Sequence, residues 1–322
     1  MHYGLLESTP PGKWVPDVFA GFSRRTLPLG EDNEGPITAT LVRHDEAVGI
    51  PLLYIHGWSD YFYNTELAKA AKARGYQLYA LELRKYGRSL RPKQTPGYIE
   101  DLAEYDAEID AAFQILASAH PNTSPSIIAH STGGLTAALW ADRHPGQFGG
   151  LVLNAPWLEL QGNTWLRGFA NTIADPIWRS APERKLLLPK FDYFYQSLSN
   201  NAYGEWVLHP LWHPRYSFDI HGGWLAAVLA GHAQVHDGLD IDTPVLVMTS
   251  ADSYFATKYS ARMQVTDTVI DVHATAQRAI RLGNQVMIHK IPNALHDVYA
   301  SAKAVRDQAF DATFAWLDYF RR

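Results

Sequence analysis

The sequence predicts an α/β protein: a mainly parallel central sheet flanked by helices, interrupted by one inserted helical segment. Three observations predict it. Short, mostly apolar runs recur along the 322 residues, helical stretches separate them, and one long aromatic stretch in the middle follows neither pattern. Strands alternating with helices imply right-handed crossovers and a parallel sheet covered on both faces. Groups that act on a ligand then belong at the carboxyl ends of the strands.

The elements follow in order. Residues 38–44 alternate like a half-exposed strand, and 25–29 form a pairing partner; both are expected at the sheet edge. Residues 51–56, 77–83, 126–130 and 150–154 are short apolar runs, as strands buried on both faces should be. Residues 66–74 are helical, as are 99–119, where Leu102, Tyr105, Ile109, Phe113 and Leu116 recur at helical spacing and the charges from Glu100 to Asp110 form a solvated face. Later strands are expected at 244–248 and 285–291, and a last helix at about 302–319. No repeat or low-complexity tract is present.

Residues 157–239 form the inserted segment, so that 1–156 and 240–322 make the core. It holds Trp157, Trp165, Phe169, Trp178, Phe191, Tyr193, Phe194, Tyr195, Tyr203, Trp206, Trp212, Tyr216, Phe218 and Trp224. Inserted after a strand's carboxyl end, it would lie over the site mouth as a cap. Its rings either line an apolar pocket or pack a small core of their own.

Composition narrows the function. Hydrophobic residues at 47% and charged residues at 19% mark a globular chain with a sizeable core, and the net charge of −5 gives no electrostatic reason to expect nucleic acid or an anionic membrane as partner. With no cysteine there is no disulfide framework, thiolate metal site or cysteine nucleophile. The N-terminal residues lack the basic start and apolar run of a signal peptide, and no stretch approaches the roughly 20 apolar residues of a spanning helix. A cytoplasmic location is the expectation. There is no glycine-rich phosphate loop and no dinucleotide fingerprint, and no cofactor is expected.

The segment Ser126-Ile127-Ile128-Ala129-His130-Ser131-Thr132-Gly133-Gly134 passes from an apolar strand through small residues into a helix. A serine hydroxyl is a poor nucleophile at neutral pH and needs a base and nearby N–H donors for the oxyanion its attack creates. A sharp strand-to-helix turn thrusts Ser131 outward and leaves the Thr132 N–H free at a helix N-terminus. The G-x-S-x-G form of such an elbow has glycine two residues either side of the serine; here Ala129 and Gly133 stand there. Taken alone, the string also suits an ordinary turn.

The base is expected in the loop after the last strand, where Ile291-Pro292-Asn293-Ala294-Leu295-His296-Asp297 supplies His296. Two carboxylates compete to orient it. Asp267 lies 29 residues before His296, a length that suits one helix and one strand. Asp252 follows the strand at 244–248 almost at once, but leaves Tyr254 to Gln264 as extra chain. Asp267 is preferred and Asp252 is the alternative, although Asp267 could merely cap the helix after it. The second oxyanion donor is expected from His56-Gly57-Trp58-Ser59-Asp60, as the Trp58 N–H.

With these residues placed, the chain resembles the α/β-hydrolase superfamily, and within it the monoacylglycerol lipase, lysophospholipase and serine-aminopeptidase-like group. The resemblance rests on His56-Gly57-Trp58, Leu83-Arg84-Lys85-Tyr86-Gly87-Arg88-Ser89, the Ser131 elbow, Asp267-Thr268-Val269-Ile270-Asp271 and Leu295-His296-Asp297, and runs from about residue 38 to the end. It departs from the pattern at Ala129 and in the longer chain between Met248 and Asp267. It implies a metal-free serine hydrolase of small-molecule carboxylic esters with an apolar acyl group. The alternatives are an aminopeptidase or amidase, for which cap carboxylates such as Asp175, Glu183 or Asp192 would hold a substrate amine, and a hydrolase-fold protein that binds ligand without turnover. Dehalogenase and epoxide hydrolase chemistry would need an aspartate where Ser131 stands.

Other candidates are weaker. His232 and His236 stand at helical i,i+4 spacing without the glutamate a zinc protease needs. His209 and His213 sit beside prolines, read as structure within the insert, and Gly87 reads as a turn residue.

Overall fold

The computed structural model describes residues 4–160 and 181–320. Nine strands form one sheet: β1 (Val15–Pro16), β2 (Phe22–Asp32), β3 (Gly35–His44), β4 (Ile50–Ile55), β5 (Tyr76–Glu82), β6 (Ser126–His130), β7 (Leu151–Asn154), β8 (Val245–Ser250) and β9 (Val286–Ile291). Their order is β1-β2-β3-β5-β4-β6-β7-β8-β9. β1, β2 and β3 pair antiparallel, and β3 meets β5 antiparallel; from β5 to β9 every pairing is parallel. The chain winds from β4 to one side for β5 and to the other for β6. The crevice at that reversal is where ligands bind in open α/β sheets.

Alternate residues of the central strands feed two cores. Leu53, Ile55, Ile127, Ala129, Leu151 and Leu153 face one, and Leu52, Tyr54, Ile128, Val152, Leu246 and Met248 the other. Helices α2 (Asp106–Ala119) and α3 (Thr132–Arg143) cover the first through residues such as Ile109, Phe113, Leu135 and Trp140. Helices α1 (Thr65–Ala73) and α7 (Lys303–Phe320) cover the second through Leu67, Ala71, Phe310 and Phe314. Both faces are therefore closed, which is why the parallel strands read as continuous apolar runs.

Between β7 and β8 lie α4 (Tyr193–Leu198) and α5 (Gly222–Asp237). α5 packs on the first core through Trp224, Leu225, Val228 and Val235. A Cβ at its Gly231 would stand 3.0 Å from both Leu102 and Leu139, so this glycine permits the close approach. Helix α6 (Val272–Ala279) then precedes β9.

Two sequence expectations are corrected. β3 is not an edge strand, since β2 and β5 flank it and its residues 37–42 are buried. Its threonines can be buried because Ser89 satisfies them: Ser89 donates to Thr40 Oγ1 at 3.1 Å, and Thr38 Oγ1 to the Ser89 carbonyl. Nor is the charged run from Glu100 to Asp110 wholly solvated. Glu108 is fully buried and accepts from Arg84 Nη2 at 2.7 Å, while Glu104 takes Arg84 Nη1, because this buried guanidinium needs carboxylates beside it. Regular α-helix also starts later than predicted, at Asp106 after a 3-10 turn over Leu102–Tyr105.

A buried ion cluster ties the N-terminal segment to the sheet. Arg88, fully enclosed, is held bidentately by Asp17 at 2.7 and 2.8 Å, pairs with Glu82, and has the rings of Phe19, Tyr61 and Trp212 around it. Removing one partner from such a cluster leaves buried charge uncompensated. Arg88→Ala is expected to lower stability by about 3–5 kcal/mol, measured by urea unfolding. Lys69→Ala, which removes only the exposed pair with Glu66, should cost less than about 0.5 kcal/mol.

Candidate active site

Ser131 stands where β6 ends and α3 begins, with φ 53° and ψ −118°. This strained conformation is over-determined by its neighbours. The Ser131 N–H donates to the Asn154 carbonyl at 3.0 Å, and the Ser131 carbonyl accepts from Gly134 and Trp157, each at 3.0 Å. Two residues on, a Cβ at Gly133 would stand 2.1 Å from the His56 carbonyl oxygen, so only glycine fits. On the other side Ala129 is buried within β6, its methyl part of the first core. The elbow's tight contact is therefore at Gly133.

His296 lies in the loop after β9. Its Nδ1 is 2.8 Å from Asp267 Oδ2 and its Nε2 is 2.9 Å from Ser131 Oγ. The carboxylate accepts only, so Nδ1 carries the proton and Nε2 presents a lone pair to the serine hydroxyl. Asp267 is fully buried, and its other oxygen accepts from the Val269 and Ile270 N–H groups at 2.7 and 2.8 Å. It is not a helix cap; Asp271 caps α6 by accepting from His273 and Ala274. Phe194 and His130 pack against the His296 ring.

Asp252, the alternative acid, is exposed and its carboxylate is not part of this chain of hydrogen bonds. Its backbone nonetheless places Asp267: the Asp267 N–H donates to the Asp252 carbonyl at 2.9 Å, and the Tyr254 N–H to the Asp267 carbonyl at 2.8 Å. The extra chain after β8 thus leaves the strand end and returns to it.

The loop after β4 runs against the elbow. A Cβ at Gly57 would lie 3.0 Å from Ser131 Cβ, and the Trp58 indole packs tilted on Trp224 with centroids 3.9 Å apart. His56 Nε2 accepts from the Leu83 N–H at 3.1 Å, so its Nδ1 donates to the Gly57 carbonyl at 2.8 Å. Thr132 is the first residue of α3, where the helix offers its N–H no partner.

Asn154, at the end of β7, joins the two halves of the site. Its carbonyl takes the Ser131 N–H and faces His130 Nδ1 at 3.0 Å; its side chain donates to Asp297 Oδ1 at 2.6 Å and accepts from the Val298 N–H at 3.1 Å. Sequence reasoning did not single out Asn154. A buried asparagine ending an apolar strand was the available signal.

A cavity of about 360 Å³ opens on Ser131 and His296. Its wall includes Leu186, Phe191, Phe194, Phe218, Phe255 and Val269. Of the described rings between residues 157 and 239, Phe191, Tyr193, Phe194, Tyr195, Tyr216 and Phe218 line the cavity, whereas Trp212 and Trp224 are buried in packing. Trp165, Phe169, Asp175 and Trp178 lie outside the described residues. His213, read from sequence as structural, meets Asp60 Oδ1 with Nδ1 at 3.2 Å, and both line the cavity. His209 stacks on Trp212. His232 is buried with Nε2 donating to the Trp157 carbonyl at 2.8 Å, while His236 is exposed; among the described residues no group of side chains is arranged to hold a metal ion. Nor is any described helix long and apolar enough to cross a membrane.

A family model described as serine aminopeptidase, S33, matches residues 51–300. The chain belongs to this α/β-hydrolase family. A curated relative, the monoacylglycerol lipase of Mycolicibacterium smegmatis, is 30% identical over 90 residues, which is 28% of this chain and 31% of that one, so the match spans about a third of the relative. Among solved structures, the Paleococcus ferrophilus monoacylglycerol lipase superposes with a TM-score of 0.63 at 17% identity, covering 88% of this chain and 99% of that one. A soluble variant of Saccharomyces cerevisiae monoglyceride lipase, solved with a substrate analogue, gives 0.64 at 14% identity over 99% and 98%. A carboxyl esterase from Bacillus coagulans, solved with glycerol, gives 0.63 at 11% identity over 93% and 99%. At these identities the structures share the α/β-hydrolase fold.

Burial holds the imidazoles of His56 and His130 below their ordinary range and pushes His232 down to about 4. Such groups are neutral when folded and bind a proton on unfolding once the pH drops below about 6.5, so stability is lost as the pH falls toward about 4. The urea midpoint is expected to drop between about pH 7 and pH 5. His232→Gln, which keeps a donor for the Trp157 carbonyl, should reduce that drop; an unchanged pH dependence would count against the assignment.

Proposed function

We propose that the protein is a serine hydrolase that cleaves carboxylic esters through an acyl-enzyme, with lipase-like or lysophospholipase-like substrates. The observation that carries the reading is the continuous chain of hydrogen bonds from Ser131 Oγ through His296 to the buried Asp267. Ser131 attacks the ester carbonyl while His296 Nε2 takes its proton. Asp267 fixes the imidazole tautomer and stabilises the imidazolium that forms, while the Val269 and Ile270 amides hold its carboxylate in place. The backbone N–H groups of Trp58 and Thr132 receive the oxyanion. His296 then protonates the departing alcohol, and a water activated by the same base frees the acyl group. No metal or cofactor enters these steps.

The apolar wall suits an acyl chain, and residues 157–239, inserted between β7 and β8, supply much of it as a cap. The family description favours an aminopeptidase as the second reading. A substrate amine would need a carboxylate free to meet it. Of the two described candidates, Asp192 is already paired with Arg215 at 2.5 Å, and Glu183 is exposed and does not line the cavity. Neither of these two carboxylates is placed to hold a substrate amine, and the ester reading rests on the apolar wall, which suits an acyl chain.

Turnover of a p-nitrophenyl ester tests the reading. Asp267→Asn removes the charge and allows the wrong histidine tautomer, so kcat is expected to fall by about 10⁴, while Asp252→Asn stays close to wild type. Loss of turnover only in Asp252→Asn would overturn the assignment of the acid, and equal turnover by wild type and Ser131→Ala would overturn the mechanism.

A further inference from the structure

A second cavity, of about 550 Å³, lies on the sheet face that α2 covers, between β2, β3 and the C-terminal half of that helix. It shares no lining residue with the cavity at Ser131. Trp14, Leu27, Pro28 and Ile115 make its wall largely apolar, yet Arg25 and Arg43 also line it. Among the described residues no aspartate or glutamate does, and neither arginine is ion-paired. Both have a buried Nε with no acceptor.

The two arginines stand side by side on one face of the sheet. Arg25 pairs with Leu41 in the β2–β3 register, and Arg43 follows Leu41 by two residues. They are therefore diagonal neighbours, with backbones roughly 7–8 Å apart in such a ladder. Like charges so placed repel, and the donors they bury cost free energy without a partner. Other enclosed arginines of this molecule are provided for: Arg84, Arg88 and Arg306 each meet a carboxylate, and Arg91 donates to three backbone carbonyls. Arg43 meets only neutral groups. Its guanidinium lies 4.1 Å over the Trp14 ring, and beside it is the hydroxyl of Tyr79, which burial keeps protonated and which lies 3.0 Å from His120 Nε2. Arg25 has no acceptor among the described residues.

We propose that this cavity binds a small monocarboxylate with an apolar body, its carboxylate received by the Nη groups of Arg25 and Arg43. A carboxylate between the two guanidinium groups offsets their repulsion and matches the fork of N–H donors each presents. The head group follows from the donor count. A phosphate offers three oxygens and wants more donors than two arginines in an apolar wall supply, whereas a carboxylate offers two. The body of the ligand then lies against Trp14, Leu27, Pro28 and Ile115, away from the Ser131 site. The proposal stands apart from the esterase reading.

Isothermal titration calorimetry with four probes tests it: 4-phenylbutyrate, 4-phenylbutanol, acetate and inorganic phosphate. Wild type should bind 4-phenylbutyrate, and acetate, which lacks the body, and 4-phenylbutanol, which lacks the charge, should each bind about tenfold more weakly or worse. Arg25→Gln and Arg43→Gln should each weaken 4-phenylbutyrate binding roughly tenfold or more, the order expected for a lost hydrogen bond between charged groups. Ser118→Trp, at an exposed lining position of α2, should narrow the cavity and weaken binding with both arginines in place; it carries the test if an arginine variant does not fold. Without ligand, Arg25→Gln should melt no lower than wild type, because it removes an unpaired like charge. A lower melting temperature with unchanged affinity would mark the arginine as structural and overturn the proposal. So would the absence of 4-phenylbutyrate binding, binding that survives both arginine variants and therefore lies elsewhere, or tighter binding of inorganic phosphate.

Discussion

The amide of Asn154 is the contact on which the site depends. Its carbonyl fixes the Ser131 N–H and faces the His130 ring, and its side chain grips Asp297 and Val298 in the histidine loop. The elbow and the histidine come from sequence positions 165 residues apart. Each could be well folded and still miss the other by an ångström, enough to lose the 2.9 Å hydrogen bond between them. One buried side chain at the end of β7 measures that gap with hydrogen bonds to both sides. Tyr299, which donates its N–H to Asp297, and Tyr63, whose hydroxyl reaches the same carboxylate, extend the clamp toward the loop after β4.

That loop is the second hub, because it faces both Ser131 and residues 209–218. Gly57 touches Ser131, while Ser59 accepts from Phe218, Asp60 meets His213, and Tyr61 accepts from the His209 N–H at 3.0 Å. Three successive side chains thus anchor residues 209–218 to the backbone that carries the proposed oxyanion donor. Docking of residues 209–218 and the shape of the cavity floor beside Ser131 are one packing problem. The Trp58 indole, edge-on to Phe218 and Tyr86 and tilted against Trp224, adds apolar burial to these polar contacts.

Much of this was legible in the sequence, for identifiable reasons. Buried parallel strands are mostly apolar, so β4 to β8 stand out, and the strand expected at 126–130 matches β6 to the residue. Ser131, His296 and Asp267 were legible because the elbow and the loop lengths between strands leave few positions, and the structure brings these three side chains together. What failed was burial of polar groups. Thr38 and Thr40 made β3 look half exposed, and Glu108 made α2 look solvated, because the partners that permit their burial, Ser89 and Arg84, are distant in sequence or on another element. The Asp60–His213 contact is hidden for the same reason: 153 residues separate its members, and His213 beside its proline reads only as structure within the insert.

The claim at the centre of this account is that Ser131 is the hydroxyl His296 activates. Peptide mapping by mass spectrometry after reaction with a fluorophosphonate tests it most directly. The account predicts a single adduct on the peptide containing Ser131, its formation slowed strongly in His296→Ala. An unmodified protein, or an adduct on another residue that persists in Ser131→Ala, would contradict it.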